Sequence, residues 1–118
     1  MFNESSFSDT IILITREGMG SADKPLQHKL LNTYLKLLLE NDSLPAAICF
    51  YAEGVKLVVE GSPILESLSE IEKKGVHLIV CLTCLKHYEL TEKVRVGIVG
   101  GMGDILEAQA KAGKVVTL

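Results

Sequence analysis

Five short runs of apolar and β-branched residues, each separated from the next by room for a helix or a long turn, set the limits on what this chain can become. They are "TIILIT" from Thr10, "AAICFY" from Ala46, "VHLIVC" from Val76, "VRVGIV" from Val94 and "KVVTL" from Lys114. Continuous apolar runs bounded by Gly, Pro and polar turns read as strands buried on both faces. Between the first two, Leu26, Leu30, Leu31, Tyr34, Leu35, Leu37, Leu38 and Leu39 recur at helical spacing, with a start near Ala22 to Pro25 and a stop at Asn41, Asp42 and Ser43. The segment "EGVKLVVEGSP" predicts a short helical or irregular connection. In "PILESLSEIEKKG", Pro63 sits at a helix start, lysines fill the last turn and Gly75 supplies the stop. Two further helices are predicted in "TCLKHYEL" and "GMGDILEAQAKAG". The alternation implies an α/β fold, a five-stranded and mainly parallel sheet with helices on both faces.

A chain of 118 residues suits one such domain, and the pattern places it at residues 10–118 behind a tail of residues 1–9. Apolar residues make up 47% of the chain, and the leucine stripe of the first helix is wider than one buried face requires. A homo-oligomer is therefore expected. The formal charge is −3 and the basic residues are scattered, so no stripe matches a nucleic-acid backbone. No apolar run approaches the roughly 20 residues that span a bilayer, and "MFNESSFSD" lacks the basic start and apolar core of a signal peptide. The expected location is the cytoplasm, with no membrane partner.

Chemistry concentrates in "VCLTCLKHYEL", where Cys81 and Cys84 form a CxxC at the end of the third strand and the start of a short helix. That carboxyl edge is where open α/β sheets place their sites. A helix start favours thiolate over thiol, so either cysteine is a candidate nucleophile near neutral pH, with Lys86 and His87 adding positive charge. Three readings stay open for the pair: reactive thiols, a zinc or other metal module using Cys81, Cys84 and His87, or idle cysteines in a structural or regulatory oligomer. A zinc site lacks an evident fourth ligand. Haem attachment would need His directly after the second cysteine, where Leu85 stands. A thioredoxin architecture would need a proline loop after the pair, yet Pro25, Pro45 and Pro63 all precede it. Cys49, inside the second strand, reads as core.

The glycine motifs are weaker. "GMGSADK" has Asp23 where a phosphate loop needs glycine. Gly97, Gly100, Gly101 and Gly103 read as a tight turn beside the CxxC, since too little chain follows for a dinucleotide fold. Glu53 and Asp104 read as caps or surface groups. No cofactor is expected.

Together, the "GMG" before the leucine-rich helix, "LPAAICFYAEGVKL", "GSPILESLSEIEKKGV", "VCLTCL" with Tyr88 after it, "VRVGIVGGM" and the closing "AGKVV" resemble the DsrE-like family. They are most similar to the C-terminal domain of YedF-type selenium metabolism proteins. The resemblance implies a three-layer α/β/α sandwich, association into trimers or larger rings, and sulfur relay through a persulfide. By this resemblance Cys81 matches the sulfur-accepting cysteine and Cys84 the second cysteine of a CGTC-type subgroup. Gly18, Gly20, Glu53 and Gly54 match the loops that close over them, and Thr83, Lys86, His87, Gly100, Gly101 and Met102 complete the supporting pocket. Leu82 replaces the subgroup's glycine and Gly101 its usual asparagine. A SirA-like domain with its own CPxP cysteine precedes the family's domain in those proteins. The sulfur donor or carrier expected for this chain is accordingly a separate, SirA-like protein.

Overall fold

The computed structural model describes residues 7–118. Five strands, β1 (Thr10–Ile14), β2 (Ala47–Phe50), β3 (His77–Cys81), β4 (Ile98–Gly100) and β5 (Lys114–Thr117), alternate with four α-helices. These are α1 (Lys24–Glu40), α2 (Leu65–Lys73), α3 (Leu82–His87) and α4 (Met102–Lys111), and a 3-10 turn covers Ala52–Leu57. The strands form one sheet in the order β4-β3-β2-β1-β5, parallel throughout. Steps from β1 to β4 all move the same way across the sheet, and β5 returns to the far side of β1. With right-handed crossovers, α1 and α2 lie on one face and α4 on the other. This is the expected α/β fold, and its sheet is wholly parallel.

Burial explains why the central strands read as continuous apolar runs. β1 and β2 are buried at every position. Ile12, Ile14, Ile48, Phe50, Leu78 and Val80 share the face under α1 and α2, where Leu31, Leu35, Leu38, Leu68 and Ile71 complete the core. Each fully buried side chain of this size stabilises the fold by about 1.5–3 kcal/mol. The other face has α4 alone, which buries Ile105. Ile98, Met102 and Leu106 are left exposed there, Val99 is exposed on the opposite face of the edge strand β4, and Leu26, Leu30 and Leu37 are exposed on the outer side of α1.

Helix ends follow local chemistry. The Asp23 carboxylate accepts the Leu26 N–H at 3.3 Å, with Pro25 in the first turn of α1. Asn41 closes the helix by donating its backbone N–H and its side-chain amide to the Leu37 carbonyl. The Asp104 carboxylate accepts the Gly101 N–H at 2.8 Å at the start of α4.

Two boundaries differ from the sequence reading. Pro63 does not open α2: Ile64 is its N-cap, its N–H held by Ser62 Oγ at 3.3 Å, and the helix begins at Leu65. "VRVGIV" is not one strand. Val94 bridges antiparallel to Val59, outside the main sheet, and only Ile98–Gly100 joins β3. Gly97 separates the two pieces with φ +87, a left-handed conformation that favours glycine and interrupts a strand.

Candidate functional site

The carboxyl ends of β1, β2, β3 and β4 bring the loops of the CxxC region to one edge. Cys81 is the last residue of β3 and the N-cap of α3, and it pairs in register with Gly100 of β4. Cys84 lies one turn further on. All three cysteines are reduced. Cys81 is 1% exposed, whereas Cys84 is half-buried. Solvent therefore reaches Cys84 more readily than Cys81, the cysteine that the resemblance marks as the sulfur acceptor, because the end of β3 is still inside the sheet while α3 emerges from it.

Cys84 Sγ accepts a hydrogen bond from the Ala52 backbone N–H at 3.1 Å. Burial pushes the Cys84 thiol above its ordinary pKa, the Ala52 N–H pulls it down, and the neighbouring Cys81 thiol pushes it up again, with a net rise. Ala52 adopts φ +51, an uncommon left-handed conformation for a residue with a side chain. Neither Ala52 nor its conformation carried a signal in the sequence. Cys49, fully buried in β2, is raised to about 11 by burial alone. It takes no part in this edge.

Gly54 makes the turn possible. A Cβ there would overlap the Ile14 carbonyl oxygen at the end of β1, and the Tyr51 N–H donates to that same oxygen at 3.2 Å. Gly18 and Gly20 belong to a loop folded onto α1, where the Met19 N–H donates to the Gln27 carbonyl at 3.1 Å and Gln27 Nε2 to the Gly20 carbonyl at 2.6 Å. Glu53 is exposed and pairs with Lys56 at 3.4 Å. Lys56 also pairs with Glu17 at 3.3 Å and lies 4.4 Å over the Tyr88 ring. Partial burial pulls the Lys56 ammonium down, but Glu17 and Glu53 outweigh it and hold its pKa above the ordinary lysine value. Glu17, Lys56 and Tyr88 are far apart in the sequence, and no motif links them as one cluster. The i,i+3 spacing of Glu53 and Lys56 was the readable clue.

Of the other expected pocket residues, Thr83, Lys86 and His87 lie on the exposed side of α3, and His87 packs edge-on against Tyr88 at 4.9 Å. Gly101 caps α4 and Met102 is exposed beside it. Among the described residues no three His, Cys, Asp or Glu side chains come together as a metal-binding group. Cys81, Cys84 and His87 thus do not form the ligand set that their spacing allowed. No helix among the described residues is long and apolar enough to cross a membrane.

Comparison with known proteins bears on fold and family. No curated protein sequence matches the chain. Solved structures with the same fold include MTH1491 from Methanobacterium thermoautotrophicum, a protein of unknown function. It is 17% identical with a TM-score of 0.70, and the match covers 94% of this chain and 99% of that one. The ychN protein from E. coli is 16% identical with a TM-score of 0.67, covering 93% and 99%. A Bacteroides thetaiotaomicron protein of unknown function, BT1422, is 17% identical with a TM-score of 0.63, covering 93% and 95%. At these identities the likeness shows the fold alone. The family profile of the DsrE/DsrF-like proteins matches residues 10–118, from the first residue of β1 to the end of the chain, so this protein belongs to the DsrE/DsrF-like family.

Proposed function

We propose that this protein is a sulfur relay protein that accepts sulfane sulfur on the Cys81 and Cys84 pair and passes it to an acceptor thiol. The observation that supports this most strongly is the contrast within the pair. One thiol is reachable and hydrogen-bonded by a backbone N–H, and a second, buried thiol stands beside it. Cys84 is the receiving thiol in this reading. Its thiolate attacks the outer sulfur of a donor persulfide, the donor's S–S bond breaks, and the donor departs as a thiolate. Cys81 then attacks the same outer sulfur, becomes the persulfide, and returns Cys84 to the thiolate. Neither exchange changes the overall oxidation state. Burial shields the Cys81 persulfide from water and stray thiols. Release reverses the order, toward an acceptor thiolate.

If Cys81 instead attacks the inner sulfur of Cys84, hydrosulfide leaves and a Cys81–Cys84 disulfide forms, which a cellular dithiol must reduce before the next cycle. The same displacement carries selenium where the donor supplies it. We further propose that the protein works in the cytoplasm as a homotrimer or homohexamer. The two apolar faces left open, around Leu26, Leu30 and Leu37 and around Ile98, Met102 and Leu106, support the assembly. A separate, SirA-like chain is the proposed donor or carrier. The direct test is intact-mass analysis after incubation with a persulfide donor. One added sulfur, removed by dithiothreitol, is expected, and absence of uptake by the reduced, folded protein overturns the proposal.

A further inference from the structure

Lys56 joins the three segments that frame the thiol pair. Its ammonium lies 3.3 Å from Glu17 on the loop after β1 and 3.4 Å from Glu53 on its own turn. It also sits 4.4 Å over the ring of Tyr88, which caps the end of α3. The turn it holds carries Ala52, and α3 carries Cys84, so the two ends of the 3.1 Å N–H to sulfur bond belong to the segments that Lys56 fastens together. Ala52 keeps an unfavourable left-handed conformation there, at φ +51. Such a conformation persists only where the surroundings over-determine it. Glu17 is well placed for this. Its side chain is only 15% exposed and it binds both Lys24 and Lys56.

We infer that Lys56 is a positioning residue, which locks the Ala52 N–H onto Cys84 and so sets how readily the receiving thiol ionises. The inference rests on Cys84 being the receiving thiol. Burial, the Ala52 N–H and the Cys81 thiol act directly on its ionisation; the charged and titratable groups of the surrounding segments are Lys56 with Glu53 and Glu17 on the turn side, and Lys86, His87 and the C-cap Tyr88 at the end of α3. Replacing the lysine by methionine keeps a stem over Tyr88 and removes the charge that binds the two carboxylates.

The test is the pH dependence of Cys84 alkylation by iodoacetamide in the full chain, mapped by peptide mass and independent of any sulfur donor. Lys56→Met should move the midpoint to higher pH and slow labelling at neutral pH by roughly 3-fold, since each unit of thiol pKa changes the thiolate fraction about tenfold and reactivity partly compensates. Lys56→Arg should restore the wild-type midpoint, and Glu17→Gln should shift it in the same direction as Lys56→Met. An unchanged midpoint in Lys56→Met or Glu17→Gln protein with native circular dichroism overturns the inference, as does failure of Arg to restore it. Because the readout is the thiol itself, the inference can fail while sulfur uptake persists, and sulfur uptake can fail while the midpoint still shifts.

Discussion

Gly54→Ala should destabilise the fold and disable the site together. A Cβ at this position would overlap the Ile14 carbonyl oxygen and stand 2.7 Å from its carbon, whereas carbon atoms pack at roughly 3.5–4.0 Å. Both atoms are backbone of β1, a strand paired on both sides, so they cannot swing aside as a side chain would. The turn has to retreat by about 1 Å instead, stretching the Tyr51 N–H to Ile14 bond and drawing Ala52 away from Cys84. Overpacking of this kind costs about 2–3 kcal/mol. Alanine recovers only about 0.4–1 kcal/mol by restricting the unfolded chain, so the clash decides the sign. With a urea m-value of about 1.5 kcal/mol/M for a chain of this size, the unfolding midpoint should fall by roughly 1 M. Equilibrium urea unfolding, followed by circular dichroism and by Cys84 alkylation on the same samples, checks both effects. A midpoint equal to or above wild type would refute the close approach of turn and strand.

Under native conditions at neutral pH, iodoacetamide should label Cys84 first, Cys81 more slowly and Cys49 only on unfolding, as peptide mapping will show; fast labelling of Cys49 would contradict its place in β2. Stability should also fall in alkali. Cys49 is raised to about 11 from an ordinary 9.0, so the unfolded chain loses this proton first, and roughly 2–3 kcal/mol drains away as pH rises from about 9 through 11. Urea titrations across that window should show the decline, and Cys49→Ala should flatten it around a lower starting stability. Light scattering at micromolar concentration should give a trimer or hexamer, and a clean monomer mass would remove the proposed assembly.

Much of this architecture was readable because burial on both faces writes a plain pattern. β1 and β2 appear as near-continuous apolar runs, β3 as one after its exposed His77, and α1 announces its start with Asp23 and Pro25 and its end with Asn41. "VRVGIV" misled because alternating valines look the same whether they pair in the main sheet or bridge to Val59, and the break depends on the backbone at Gly97. The site was half legible. A CxxC at a strand end located the edge, and the resemblance favoured Cys81, but neither registers that the last residue of an interior parallel strand stays buried. The Ala52 donor is a backbone group with no residue preference, and the Glu17, Lys56 and Tyr88 cluster joins positions far apart in sequence.

In the proposed relay, sulfur arrives at Cys84 and rests on Cys81. A quenched time course after one equivalent of glutathione persulfide, with the added sulfur located by peptide mass, tests it most directly. The sulfur should appear on Cys84 and then move to Cys81; Cys84→Ser should load slowly, and Cys81→Ser should load at the normal rate but lose its sulfur quickly. Uptake at the wild-type rate by the Cys81→Ser, Cys84→Ser double variant, or sulfur found first on Cys81 with Cys84→Ser unaffected, would contradict it.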